Sequence, residues 1–230
     1  MSDGQLYAAA AAAVLAGALA TLGPRVVALL PEPADPAADK RAYAELGAAP
    51  GLGGWLAVTA ALAAGAVGLV LGPDAVVATW VYVCAIGIVL AYVDWHTRLL
   101  PFVLVAPSYA VVAALVALAA LVEHDADMLV RAGAGWLLSF GAFALMWAVH
   151  SGGIGYGDVR LSGVLGMALG AVGWQQLVVG LYAAFVFGAL AGGLLLLAGR
   201  SRSTSFPFGP FMFLGGWFGV VSAPVLASVL

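Results

Sequence analysis

The sequence predicts an all-α membrane protein: a polytopic bundle of about eight transmembrane helices, with the N-terminus outside the cytoplasm. Three observations predict it. The first is composition: 64% of the 230 residues are hydrophobic and only 8% are charged, and the mean hydropathy is +1.10. An ordinary soluble domain is about 45–50% apolar. The second is the recurrence of apolar runs near the roughly 20 residues a spanning helix needs. The third is the uneven distribution of Lys and Arg among the connectors. The formal net charge of −3 includes no basic patch suited to nucleic acid.

The first run, Gln5–Leu30, has no basic stretch before it and no obvious cleavage site. It reads as a retained helix rather than a signal peptide. Pro31–Gly54 follows, with Pro31, Pro33, Pro36 and Pro50 among Glu32, Asp35, Asp39, Lys40, Arg41 and Glu45. That mixture predicts an irregular aqueous loop with one short helix at Ala37–Leu46. The remaining runs are Trp55–Leu71, Ala75–Val93, Pro101–Val122, Met128–Val149, Asp158–Val172, Gln175–Gly199 and Pro207–Val229. The run at Asp158–Val172 is short and rich in glycine. It is expected to be tilted, buried by its neighbours or incompletely spanning. Gly166 with Gly170, and Gly188 with Gly192, have the G-x-x-x-G spacing that permits close helix packing. The single cysteine, Cys84, lies inside an apolar run, which excludes an internal disulfide and a multi-cysteine zinc site. It reads as a small hydrophobe. The whole chain, 1–230, reads as one membrane domain.

Orientation follows from the cations. With the N-terminus outside, one side receives Arg25, Lys40, Arg41, Arg98, Arg160, Arg200 and Arg202. The other receives Arg131, beside the solvated acidic turn Glu123–Asp127 that also holds His124. Positive residues favour the cytoplasm. This assignment puts Asp94 and Asp158 on the same, cytoplasmic, side.

Those two aspartates are the chemistry-bearing residues. Each stands at the end of an apolar stretch, where a carboxylate is costly and is a functional candidate by default. Structural readings exist for both: Asp158 as a helix cap, Asp94 as a charge that stops a helix. As a pair they can share a proton, because two close carboxylates cannot both ionise. One then takes a proton from water while the other donates one to a carbonyl oxygen. Gly155 and Gly157 allow close backbone approach around Tyr156, and a carboxylate at a helix start is favoured by the exposed N–H groups. A nucleotide-binding glycine fingerprint would need a preceding strand, and an apolar helix precedes here. The different class of function that fits such carboxylates is a proton-coupled transporter. Against it, both aspartates lie at one face rather than near the midplane, and no inverted repeat is visible.

Asp94 with Thr97-Arg98-Leu99-Leu100-Pro101, then Gly153-Ile154-Gly155-Tyr156-Gly157-Asp158-Val159-Arg160-Leu161, resembles the paired active-site motifs of bacterial type IV prepilin peptidases. Ser205-Phe206-Pro207-Phe208-Gly209-Pro210-Phe211 is similar to the segment that starts that family's last helix. The resemblance covers roughly Tyr82–Gly219. It implies an intramembrane aspartic endopeptidase of the inner (plasma) membrane, with Asp94 and Asp158 catalytic and no cofactor or metal. The implied substrates are prepilins or pseudopilins, each an apolar helix preceded by a short basic leader that is removed at the cytoplasmic face. Full-length bacterial members carry two C-x-x-C pairs in a larger first loop and also methylate the new N-terminus. Pro31–Gly54 has no cysteine, so the resemblance implies peptidase activity alone, as in a short, actinobacterial-like form. Presenilin-type proteases share an aspartate and a G-x-G-D motif, but leave Phe206–Phe211 unexplained.

The flanking residues carry smaller expectations. Arg98 and Arg160 suit topology and lipid phosphate contact, or positioning of the carboxylate pair. Phe208, Gly209 and Pro210 are expected in a loop packed near the pair that shapes the peptide site. His96 and His150 flank the same region without a ligand pattern.

Overall fold

A computed structural model describes residues 1–33, 40–149, 154–197 and 206–224. Ala37–Asp39, His150–Gly153, Arg200, Arg202, Ser205 and the last run beyond Pro224 lie outside the described residues. All regular structure among those described is helical: α1 (Asp3–Ala20), α2 (Gly23–Ala28), α3 (Tyr43–Gly47), α4 (Leu52–Leu71), α5 (Val77–Thr97), α6 (Phe102–Val122), α7 (Ala126–Val149), α8 (Tyr156–Val172), α9 (Trp174–Leu197) and α10 (Gly209–Val221).

Over its described residues every apolar run coincides with a helix, but among the described residues six stretches are long and apolar enough to cross a membrane. The first of them, Asp3–Ala28, combines α1 and α2, which part at Thr21–Leu22 just before Pro24. At 17 residues, α8 is about 26 Å long, and α10, described over 13 residues, about 20 Å. Both fall short of the roughly 30 Å hydrocarbon core.

Burial separates the inner helices from the outer ones. Within its most apolar stretch α5 is 67% buried, against 22–28% for the other five long spans. The short α8 packs on α5, α6, α7, α9 and α10. Its length and glycines leave three alternatives open, tilted, buried by its neighbours or incompletely spanning; most of its residues are buried, although Tyr156 at its start is exposed.

Small residues make the close seams. A Cβ on Gly68 of α4 would stand 2.8 Å from the Ala8 carbonyl oxygen of α1. Gly166 of α8 lies against Gly135 and Ser139 of α7, and Gly170 against Arg131. The pair on α9 behaves differently. Gly188 lies under the Phe208 ring, whereas Gly192 faces open space and mediates no close approach. Cys84 is buried, as a small hydrophobe.

The connectors gather at two ends. At one end Gly4 of α1 approaches Pro73, and the Glu123 carboxylate accepts from the Ala75 amide at 2.8 Å. The acidic turn here is more ordered than a solvated loop, because Arg131 also donates to Asp125 at 2.8 Å and holds that carboxyl below its usual range. At the opposite end, the Tyr92 hydroxyl donates to the Leu46 carbonyl, pinning α3 to α5. The short helix expected at Ala37–Leu46 is observed as Tyr43–Gly47.

Candidate active site

Asp94 stands on the last turn of α5 and Asp158 on the first turn of α8, where these helices meet. Both are buried, at 4% and 9% exposure. In so apolar an interior a carboxylate needs donors, and the main chain supplies them. The Gly209 N–H donates to Asp94 Oδ2 at 2.9 Å. The Gly155 N–H donates to Asp158 Oδ2 at 3.1 Å. Asp158 therefore does reach back to cap its own helix, occupying the third position of α8 rather than the cap itself.

Three connectors converge to make this geometry. After Asp94 the chain leaves α5 through Arg98, which adopts φ 56°, an uncommon left-handed conformation for a residue with a side chain. That turn delivers Leu100, with Pro101 capping α6. A Cβ on Gly157 would lie 2.9 Å from the Leu100 Cβ, so the α8 entry rests directly on this side chain. A Cβ on Gly209 would lie 2.9 Å from Asp94 Oδ2 and 3.3 Å from Leu100 Cδ2. Leu100 is thus the pivot between the two aspartate-bearing turns and α10, a role its place in the motif does not reveal.

The segment before α10 assigns a separate contact to each residue. Phe208 packs its ring against Phe143 of α7 and Phe185 of α9, with centroids 6.1 and 5.7 Å away. Gly209 binds Asp94. Pro210 faces a lateral groove between α4, α5 and α10. Of these three residues, Gly209 is the one that contacts an aspartate.

Arg160 holds its guanidinium over the rings of Phe102 and Tyr156, 4.5 Å from each centroid. His96 bonds the Tyr92 carbonyl through Nδ1 at 2.8 Å, and its ring lies tilted against that of the same tyrosine, centroids 4.5 Å apart. Tyr43 is a neighbour of the site that the sequence analysis did not single out. This residue of α3 is buried at 3%, and burial pushes its phenol upward, opposed by a hydrogen bond with Thr97 and reinforced by the charges of Glu32 and Asp94. The cysteine-free first loop therefore reaches the aspartate end of the bundle. The available signal was the apolar pair Tyr43 and Leu46 at i, i+3 within a polar loop.

Residues 80–193 match the model of the type IV leader peptidase family. The chain belongs to the type IV leader peptidase family through this segment. A prepilin leader peptidase/N-methyltransferase of Aeromonas salmonicida is 36% identical over 100 residues, which is 41% of this chain and 32% of that protein. The leader peptidase HopD of Escherichia coli is 36% identical over 100 residues, covering 40% of this chain and 64% of that protein. A prepilin leader peptidase/N-methyltransferase of Pseudomonas aeruginosa is 33% identical over 140 residues, 57% of this chain and 45% of that protein. The match to the Aeromonas protein thus spans about a third of its length. No solved structure matches the chain. Both aspartates fall within the matched segment, whereas α3 and the Phe208–Pro210 turn lie outside it.

Proposed function

We propose that this protein is an intramembrane aspartic endopeptidase that removes the basic leader of type IV prepilins or pseudopilins. The observation that carries the reading is the convergence of two buried aspartates, each with one carboxylate oxygen held by a main-chain amide. The likeness to leader peptidases points the same way, and it disfavours a proton-coupled transporter.

The chemistry follows from the pair. One carboxyl group is ionised and the other carries the shared proton, because two adjacent charges in a weakly polar site repel strongly. The ionised member removes a proton from water as that water attacks the scissile carbonyl carbon. The protonated member donates its proton to the carbonyl oxygen. Collapse of the tetrahedral intermediate breaks the C–N bond, and a proton moves to the leaving amine. The mechanism requires neither a metal nor a covalent intermediate. Gly155, Tyr156 and Gly157 lead into Asp158 at the start of α8, while the Gly209 amide holds Asp94 from the other side.

In the reading we propose, the bundle has about eight membrane-embedded helices, counting the two short ones. The aspartate end faces the cytoplasm of the inner membrane, where seven of the eight Lys and Arg residues are assigned. The N-terminus lies on the opposite face. The loop at Pro31–Gly54 has no cysteine, and the proposed activity is peptidase without N-methyltransferase.

Co-expression with a candidate prepilin bearing its leader tests the reading, scored by gel shift, N-terminal sequencing and the mass of the product. Asp94→Asn and Asp158→Asn should each reduce cleavage by about a thousandfold or more, since neither amide can replace the shared proton. Substantial cleavage by either variant would overturn the aspartic mechanism. The product should carry a free, unmethylated amine.

A further inference from the structure

The lateral groove beside Pro210 is a cavity of about 1020 Å³ between α4, α5 and α10. Its walls come from one half of each helix. On α5 they run from Ile88 to His96, the half that ends at the aspartate turn, and on α4 from Leu52 to Ala63, the half that begins there. At 1.5 Å per residue these stretches are about 12 and 16 Å long, the depth of one leaflet. The groove is therefore a slot that opens at the aspartate end and stops near mid-membrane.

Its surface chemistry is specific. Three polar side chains of the wall turn their bonds inward: the Trp217 Nε1–H donates to the Ala63 carbonyl at 3.0 Å, and the Tyr92 hydroxyl to the Leu46 carbonyl at 3.1 Å. The Thr59 hydroxyl donates to the Trp55 carbonyl at 2.8 Å. Among the described residues no Lys or Arg lines the slot, so it presents no fixed positive charge to a lipid phosphate. A second groove, between α6, α7 and α8, has that feature, with Arg160 in its wall. The first slot fits an uncharged apolar helix. It is also continuous with the candidate site: Pro210 lines it, while the adjacent Gly209 amide holds Asp94.

We infer that this slot seats the apolar segment that follows the scissile bond of the substrate, so that the backbone crosses the Phe208–Pro210 turn to reach Asp94 and Asp158. The inference rests on the peptidase reading and adds the face of the bundle that the substrate occupies. The slot then acts as a positioning surface, converting apolar binding into alignment of one peptide bond with the carboxylates.

The test uses the full chain in membranes with the same prepilin. Benzoylphenylalanine placed at Leu62, deep in the slot, should crosslink to intact prepilin in an Asp158→Asn background. The same probe at Leu137, exposed on α7, should not. Ala91→Trp, which fills the slot, should lower kcat/KM for the prepilin about tenfold relative to that for a short soluble peptide spanning the scissile bond. Equal crosslinking from both positions, lipid adducts alone at Leu62, or an unchanged ratio of kcat/KM would overturn the slot while leaving the peptidase intact. Failure of the wild-type protein to cleave any prepilin would instead remove the peptidase reading itself, and the slot with it.

Discussion

At the scale of single residues, the site depends on the absence of a few atoms. Gly209 brings its amide to Asp94 because nothing projects from its Cα: an added methyl would stand 2.9 Å from the carboxylate oxygen and 3.3 Å from Leu100. Gly209→Ala keeps the donor and the helix but displaces the carboxylate. It should lower kcat about tenfold or more at unchanged protein abundance, because small misalignments of reacting groups are costly. Gly54→Ala is the control, since nothing lies within 4 Å of that position. Initial cleavage rates for the two variants, read against melting temperature, check the claim. Equal rates would mean that Asp94 is not held through this contact. Both aspartates were legible in the sequence, as rare carboxylates ending apolar runs. Their donors were less so. The Gly209–Asp94 bond joins residues 115 apart in the chain, and no local pattern encodes a contact of that range.

At the scale of elements, the two G-x-x-x-G pairs read alike and behave differently. A helix in lipid is apolar on its outer face as well as its inner one, so hydrophobic periodicity no longer marks which side meets protein. Gly166 and Gly170 on α8 lie against the α7 backbone, while Gly192 on α9 meets nothing. Gly166→Val forces two main chains apart and should destabilise the fold by about 2 kcal/mol or more, the cost of overpacking a tight interface. Gly192→Val should be nearly neutral. Thermal inactivation of the purified variants separates the two, and a comparable loss for both would refute the α7–α8 seam as described. The internal position of α8 was legible because a 17-residue, glycine-rich helix cannot pass for an ordinary lipid-facing span. The contribution of α3 was not, because its polar, proline-rich surroundings resemble a solvated loop and its anchor, Tyr43, is apolar only in body.

At the scale of the whole molecule, packing and orientation are decided by different forces. The contacts that bring α5, α8 and α10 together are the same whichever way the bundle stands in the bilayer. What distinguishes the two ends is charge. The end with Lys40, Arg41, Arg98 and Arg160 also carries Asp94, Asp158 and α3, while the end with Glu123, Asp125 and Arg131 carries the N-terminus. In the orientation we propose, the bias of Lys and Arg toward the cytoplasm selects which end faces inward. Because Cys84 is the single cysteine and is buried, an introduced cysteine makes a clean reporter of sidedness. In intact cells His124→Cys should react with a membrane-impermeant maleimide. Arg41→Cys, at the exposed position next to Lys40, should react only after permeabilisation. Labelling of both from outside would break the link between the aspartate end and the cytoplasm, and reversal of the pattern would place the carboxylates on the side from which a basic leader cannot approach. The expected pattern joins the one-sided charge, the one-leaflet slot and the paired aspartates in a single direction of substrate entry.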